Sequence, residues 1–335
     1  MKIVFFEVPK LEQSFFMQSF PAGEVSFFEE KLDENSVALA KDAEIISVFI
    51  NSVVSKKIID LLPNLKFITT RSTGFEHIDL KYCADKGIKV SNVPSYGSHT
   101  VAEFAFSLIL NLSRKIINAN NHLRDSMDFN FYSSLQGFDL QGKTLGVIGT
   151  GRIGKNVIKI AKGFDMKVVA CDLFPDAKFA EENNFVYKNL PEVLQESDII
   201  TLHTPYTKEN YHLINRENIS QMKKGALIIN TARGALIDTE ALIWGIKEGV
   251  IGGAGLDVLE EERDFKIKNE IIYSDNSEKV DYKTIVENQI LIDLPQIIVT
   301  PHIAFYSKEA EKEIIKTTAE NILSFIKNTP INLIK

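Results

Sequence analysis

At about 150 residues per domain, a chain of 335 residues is expected to form two domains, and its 44% hydrophobic and 25% charged content excludes a disordered or fibrous chain. A net charge of −7 and a pI near 5.5 argue against nucleic acid or an anionic membrane as partner. Two distant cysteines, Cys83 and Cys171, exclude a disulfide framework and metal-ligand spacing, so a reducing cytoplasm is the expected compartment and no metal is expected.

The N-terminal MKIVFFEVPK predicts a strand over Lys2–Phe6, too short for a signal-peptide core, and no apolar run approaches a membrane span. Glu44–Ile50, Leu65–Thr69 and Ile88–Ser91 read as further strands, with helices Ser55–Leu62 and Leu80–Lys86 between them. This alternation predicts an α/β unit with its own parallel sheet and no glycine-rich phosphate loop. Thr100-Val101-Ala102-Glu103 fits a capping box. The helix behind it, VAEFAFSLILNLSRKII, is apolar on nearly all sides, which predicts a domain link and part of a dimer interface.

The next elements read as a nucleotide-binding unit. Lys143–Ile148 is a short apolar run suited to a buried parallel strand. Gly149-Thr150-Gly151-Arg152-Ile153-Gly154 follows. Its first glycine permits a tight turn, its second lets a pyrophosphate approach the backbone, and its third allows close helix–strand packing. The helix that follows presents free N–H groups and its dipole to an anion. A second strand, Met166–Cys171, ends at Asp172, 18 positions past Gly154 (172 − 154). An acid there can bind both hydroxyls of an adenosine ribose and repels a 2′-phosphate, so NAD is expected in preference to NADP.

Beyond Asp172 the alternation resumes. Strands are predicted over Asp198–His203, Ala226–Asn230, Ile251–Asp257 and Gln296–Val299, and helices over Glu192–Glu196, Arg216–Met222 and Thr239–Lys247. The strand ends carry Thr204-Pro205, Thr231-Ala232-Arg233, Asp257 and Pro301-His302, which directs their chemistry to one crevice. The charged stretch from Glu260 to Leu294 reads as a long surface excursion. A last helix, Lys308 to Ile326, is expected to return to the first domain.

A nicotinamide needs a partner that gains or loses hydride, and a carbonyl receiving hydride needs a proton donor, an electrostatic anchor and fixed orientation. Of six histidines, His302 directly follows a predicted strand in IIVTPHIAF. Arg233 ends another, in IINTARGALID, where its planar fork suits a carboxylate. A carboxylate on the imidazole would fix its tautomer and favour its charged form. Glu260, Glu261 and Glu262 are consecutive, so the residues themselves leave open which acid this is.

Seven motifs in order, TRSTGFEHIDL, VPSYGSHTVAEFA, GVIGTGRIG, LHTPYTKENYHLIN, INTARGALIDTEAL, GLDVLEEE and VTPHIAFYSKEA, resemble the D-specific 2-hydroxyacid dehydrogenases, most closely their D-lactate dehydrogenase branch. The resemblance implies two doubly wound parallel-sheet α/β domains, a flavodoxin-like substrate domain (1–99 plus 303–335) and an inserted Rossmann NAD domain (100–302), with the active site in the cleft between them. It implies that Arg233 binds the carboxylate and carbonyl of a 2-oxo acid, that His302 donates the proton, and that Glu262, five positions past Asp257, pairs with His302. Ser72, Thr73 and Gly74 match the loop that holds the substrate carboxylate, and Tyr96 and Phe305 match substrate-contacting aromatics; Thr73 stands where many members have valine. Cofactor contacts carry over to Gly149, Gly151, Arg152, Ile153, Gly154, Asp172, Thr204, Pro205, Asn210, Thr231, Ala232, Arg233 and Asp257. The implied activity is reversible NADH-dependent reduction of pyruvate to D-lactate by a homodimer. The alternatives are a larger apolar 2-oxo acid such as 2-oxoisocaproate, or an NAD-sensing binding protein of the same fold.

Overall fold

The computed structural model describes residues 1–20, 24–262 and 282–334. The chain forms two compact units, Met1–Gly97 with Tyr306–Lys335, and Ser98–Phe305.

The first unit is a five-stranded parallel sheet of β1 (Lys2–Phe5), β2 (Glu24–Phe27), β3 (Ile45–Val48), β4 (Phe67–Thr70) and β5 (Lys89–Ser91), ordered β2-β1-β3-β4-β5. This is the flavodoxin-like order. β3 and β4 are buried at every position, as expected of inner parallel strands covered on both faces. The helices here are α1 (Lys10–Ser19), α2 (Lys56–Asp60) and α3 (Leu80–Asp85). The chain's last helix, Lys308–Ile326, also lies in this unit, where Phe325 stacks on Phe67 with ring centroids 4.4 Å apart. Two elements had no counterpart in the sequence reading. α1 buries only Phe16, and β2 is a partly exposed edge strand, so neither carries a clear apolar period.

The second unit is a seven-stranded parallel sheet. Its strands are β6 (Thr144–Ile148), β7 (Lys167–Cys171), β8 (Val186–Tyr187), β9 (Ile199–Leu202), β10 (Ala226–Asn230), β11 (Ile251–Leu256) and β12 (Ile297–Val299). They are ordered β12-β11-β10-β9-β6-β7-β8. The chain runs outward from β6 through β7 to β8, then restarts at β9 on the other side, so a topological switch point lies between β6 and β9. Its helices are α4 (Ser98–Arg114), α5 (Ile116–Ser126), α6 (Arg152–Gly163), α7 (Ala177–Glu182), α8 (Leu190–Glu196), α9 (Arg216–Ile219), α10 (Thr239–Lys247) and α11 (Tyr282–Asp293); Lys308–Ile326 is α12.

Three expectations are corrected. α4 begins at Ser98, so Thr100 sits inside the first turn and is not the cap. The single helix expected through Ile117 is broken at Lys115, whose φ of +51° starts α5 afresh. α4 also exposes Glu103 and Ser107 while its apolar side packs on α6, β10, β11 and β12 of its own unit. Third, the stretch read as a surface excursion contains α11, which buries Thr284, Ile285, Asn288 and Leu291 and packs on α10 and β12. Thr284 and Asn288 place polar residues on the inward face, which hides the helix from a reading of apolar period. The rest of that stretch, 263–281, lies outside the described residues.

Candidate active site

The glycine turn between β6 and α6 shows why two of its three glycines lack a side chain. Gly149 has φ +91°, and a Cβ there would lie 2.7 Å from the backbone of His203 and Thr204, so the turn packs directly on the segment after β9. A Cβ on Gly154 would lie 2.1 Å from the carbonyl oxygen of Gly149, so α6 is seated against the turn itself. Gly151 differs: a Cβ there meets nothing within 4 Å. That space adjoins the N-terminus of α6, where Arg152 and Ile153 begin the helix and the helix dipole favours a phosphate.

Asp172 follows β7. Its carboxylate accepts from the Thr150 N–H, from the Thr150 hydroxyl at 2.8 Å and from the Phe174 N–H at 2.8 Å. Burial raises its pKa, but the hydrogen bonds from Phe174, Thr150 and Leu173 outweigh this and hold the carboxyl below its ordinary value. The middle residue of the glycine turn is thus tied to the acid at the end of β7. Tyr187 on β8 joins them, its hydroxyl 2.9 Å from that of Thr150. Neither β8 nor Tyr187 was anticipated, because two residues carry no period.

β9, β10, β11 and β12 are consecutive neighbours in the sheet, so their carboxyl ends lie side by side. After β9, His203 places Nε2 2.8 Å from the Thr201 hydroxyl, while its Nδ1 is shut off from solvent without a hydrogen-bond partner. Burial pushes His203 down to about 3. The ring is therefore neutral at physiological pH. Thr204 and Pro205 follow, and Asn210 closes their loop: its amide donates to Pro205 O at 2.8 Å and accepts from Thr207 N at 2.7 Å. At the end of β10, the buried Asn230 shapes the turn, donating to Arg233 O at 2.8 Å and accepting from Ala232 N at 3.0 Å. The Thr231 hydroxyl is buried without a partner, and the guanidinium of Arg233 donates to Ala232 O at 2.8 Å.

Asp257 directly follows β11 and is 1% exposed. Its carboxylate accepts from the Thr300 hydroxyl at 2.6 Å and from Ile303 N and Ala304 N at 2.9 and 2.8 Å. Burial raises its pKa despite those bonds. These contacts bracket His302, which follows β12 with φ +57°, an uncommon conformation for a residue with a side chain. Asp257 thereby fixes the turn that carries His302.

His302 Nδ1 lies 2.7 Å from Glu262 Oε1. A carboxylate can only accept, so Nδ1 carries the hydrogen and Nε2 is the ring's other nitrogen. Glu260 makes a different set of bonds: Oε1 is 2.6 Å from His212 Nε2 and 3.1 Å from the Tyr211 hydroxyl, and Oε2 is 2.9 Å from the Thr239 hydroxyl. Phe305, half-buried, is the last residue of this unit. Ser72, Thr73, Gly74 and Tyr96 belong to the first unit. There the Ser72 hydroxyl is 2.7 Å from that of Thr70 and donates to Gly74 O, while Thr73 donates from its hydroxyl to Val93 O at 2.8 Å. The side chains of the loop thus shape its backbone.

A doubly wound parallel sheet with a glycine turn at its switch point, open space at Gly151 and an ionised acid at the end of β7 fits NAD, and defines an NAD-binding α/β oxidoreductase. Residues 106–304 match the family described as D-isomer specific 2-hydroxyacid dehydrogenase, NAD binding domain. The chain is 39% identical over 302 residues to the D-lactate dehydrogenase of Escherichia coli, covering 89% of this chain and 88% of that one. It is also 39% identical over 308 residues to an aromatic 2-oxoacid reductase of Clostridium sporogenes, covering 90% and 88%. Its fold matches the crystal structure of the Aquifex aeolicus D-lactate dehydrogenase complexed with NAD and lactic acid, with a TM-score of 0.86, 36% identity and coverage of 98% and 96%. The chain belongs to the D-isomer specific 2-hydroxyacid dehydrogenase family, and its cofactor is NAD.

Proposed function

We propose that the protein reduces pyruvate, or a near homologue, to the D-2-hydroxy acid, with Arg233, Glu262 and His302 as its catalytic residues. The observation that carries this reading is the 2.7 Å pair between His302 Nδ1 and Glu262, which leaves Nε2 as the atom that gives a proton to the carbonyl oxygen. Bound NADH supplies the hydride equivalent. Arg233 holds the substrate carboxylate and polarises the carbonyl with its fork. Ser72, Thr73, Gly74, Tyr96 and Phe305 are the proposed substrate-contacting residues.

The similarity to the Escherichia coli D-lactate dehydrogenase supports pyruvate. Equal identity to the Clostridium sporogenes aromatic 2-oxoacid reductase supports a second reading, a larger apolar 2-oxo acid. The same proposal takes the protein as a homodimer of the cytoplasm. Met127, Phe129 and Phe131, 81 to 94% exposed beside α5, support the dimer. The deciding experiment follows NADH absorbance with pyruvate, 2-oxoisocaproate and phenylpyruvate. The highest kcat/KM is expected for pyruvate; a higher value for phenylpyruvate moves the assignment to the larger acids, and no turnover with any 2-oxo acid leaves an NAD-sensing role.

A further inference from the structure

Glu260, Glu261 and Glu262 are three consecutive acids that serve two histidines. Glu262 reaches His302, and Glu260 reaches His212. Between them Glu261 has φ +49°. His212 and His302 also sit at positive φ, +51° and +57°. Three residues with side chains in the left-handed region therefore accompany the two histidine–carboxylate pairs, and such backbone persists only where surrounding contacts enforce it.

The contacts on Glu260 are of that kind. Its side chain is 9% exposed and takes donors from two segments, Tyr211 and His212 in the loop after β9 and Thr239 at the start of α10. Its own carbonyl oxygen accepts from the Asn288 amide of α11 at 2.7 Å. A carboxylate so withdrawn from water is costly unless it is fully paired, and here it is paired three ways. The loop that supplies His212 is in turn fixed to the turn after Arg233: His212 N donates to Ala235 O and Ile214 N to Leu236 O, both at 2.9 Å. Beneath, a Cβ on Gly234 would lie 2.0 Å from Leu259 O and 2.4 Å from Glu260 N, so the residue after Arg233 rests on the same turn.

We infer that Glu260 and His212 are positioning residues: their pair clamps the Leu259–Glu262 turn and so sets the Glu262 carboxylate against His302. The inference rests on the reading of Glu262 and His302 as the catalytic pair. The alternative is a contact that only stabilises the fold. It predicts a lower Tm with no change at His302.

The test uses the full-length protein with NADH and the best 2-oxo acid of the panel. In Glu260→Gln and His212→Gln, kcat is expected to fall on the order of tenfold or more, as for a misplaced catalytic group. The Kd of NADH should stay within about twofold of its original value. Long-range proton–nitrogen NMR of the histidine rings, with His302 assigned by its loss in His302→Gln, should show the His302 Nδ1 signal displaced in both variants. His212 is about a quarter exposed, so its variant gives the answer if the other does not fold. Unchanged kcat and an unchanged His302 signal in a folded variant overturn the inference, as does a displaced His302 signal with full kcat where Glu262→Gln is itself impaired. If Glu262→Gln retains full kcat, the catalytic reading fails instead, and the His302 signal alone then decides whether the clamp exists.

Discussion

The choice between NAD and NADP rests on one carboxylate, and Asp172→Asn tests it. Asp172 is held ionised by Thr150 and Phe174, so near neutral pH it opposes a 2′-phosphate with a full charge. A phosphate monoester of charge about −2 at about 5 Å, in an effective dielectric of about 40 for this half-buried site, is repelled by about 3 kcal/mol. At 1.36 kcal/mol per decade this predicts more than a hundredfold preference for NADH in kcat/KM. Lys155 lies close enough to feel Asp172, but its ammonium is bound to Asp176 and offers little compensation. In Asp172→Asn the preference should fall below about tenfold, since repulsion is removed and no new attraction is made. Adding Asp176→Asn frees Lys155 and should lower the KM for NADPH further. The assay is reduction of a fixed 2-oxo acid with each cofactor. Equal use of both by the unmodified protein, or an unchanged ratio in Asp172→Asn, refutes the argument.

Other perturbations read other parts of the site. Arg233→Lys keeps the charge but loses the fork, so steady-state kinetics should show a raised KM for the 2-oxo acid and a lowered kcat, by at least tenfold in kcat/KM. Gly151→Ala enters open space and should leave Tm nearly unchanged while raising the KM for NADH; Gly154→Ala drives a methyl into Gly149 O and should lower Tm sharply, as thermal melts will show. His203 is kept neutral in the fold down to about pH 3 but takes a proton below about 6.5 when unfolded, so it favours the fold above 6.5 and that stability is lost as pH falls. Urea unfolding at pH 6.5 and 5.5 should differ by about 1 kcal/mol on its account, and His203→Gln should remove that part of the slope.

The sheets were legible because their inner strands are continuous apolar runs. Ala226–Asn230 and Thr239–Lys247 have the bounds expected from sequence, as does the last helix, Lys308–Ile326. Elements whose faces mix polar and apolar residues were not legible: α1 buries one phenylalanine, and α11 turns Thr284 and Asn288 inward. The site divides in the same way. The glycine turn was readable because two of its glycines answer a local steric demand, visible at Gly149 and Gly154 as backbone within 3 Å of an absent Cβ, and Asp172 because it closes the strand that follows. The residues themselves leave the register of the acids open and only the resemblance implies Glu262, because no local rule separates Glu260 from Glu262; their different partners lie 40 to 48 positions away, on either side of the left-handed turn at Glu261.

The residues that shape the site are polar groups withdrawn from water: Asn230, Asp257, Glu260 and Asn288 are all buried. A reading of hydrophobic pattern assigns such residues to the surface, since an unpaired polar group is costly to bury. The two acids are admitted to the interior by several hydrogen bonds from distant segments: Asp257 by Thr300, Ile303 and Ala304, and Glu260 by Tyr211, His212 and Thr239. Because losing one partner strands a buried polar group, each such cluster has one low-energy arrangement, and a histidine held by it is confined to that geometry. The cost that makes these residues hard to place from sequence is therefore the same cost that makes the turns around His302 and Glu262 rigid.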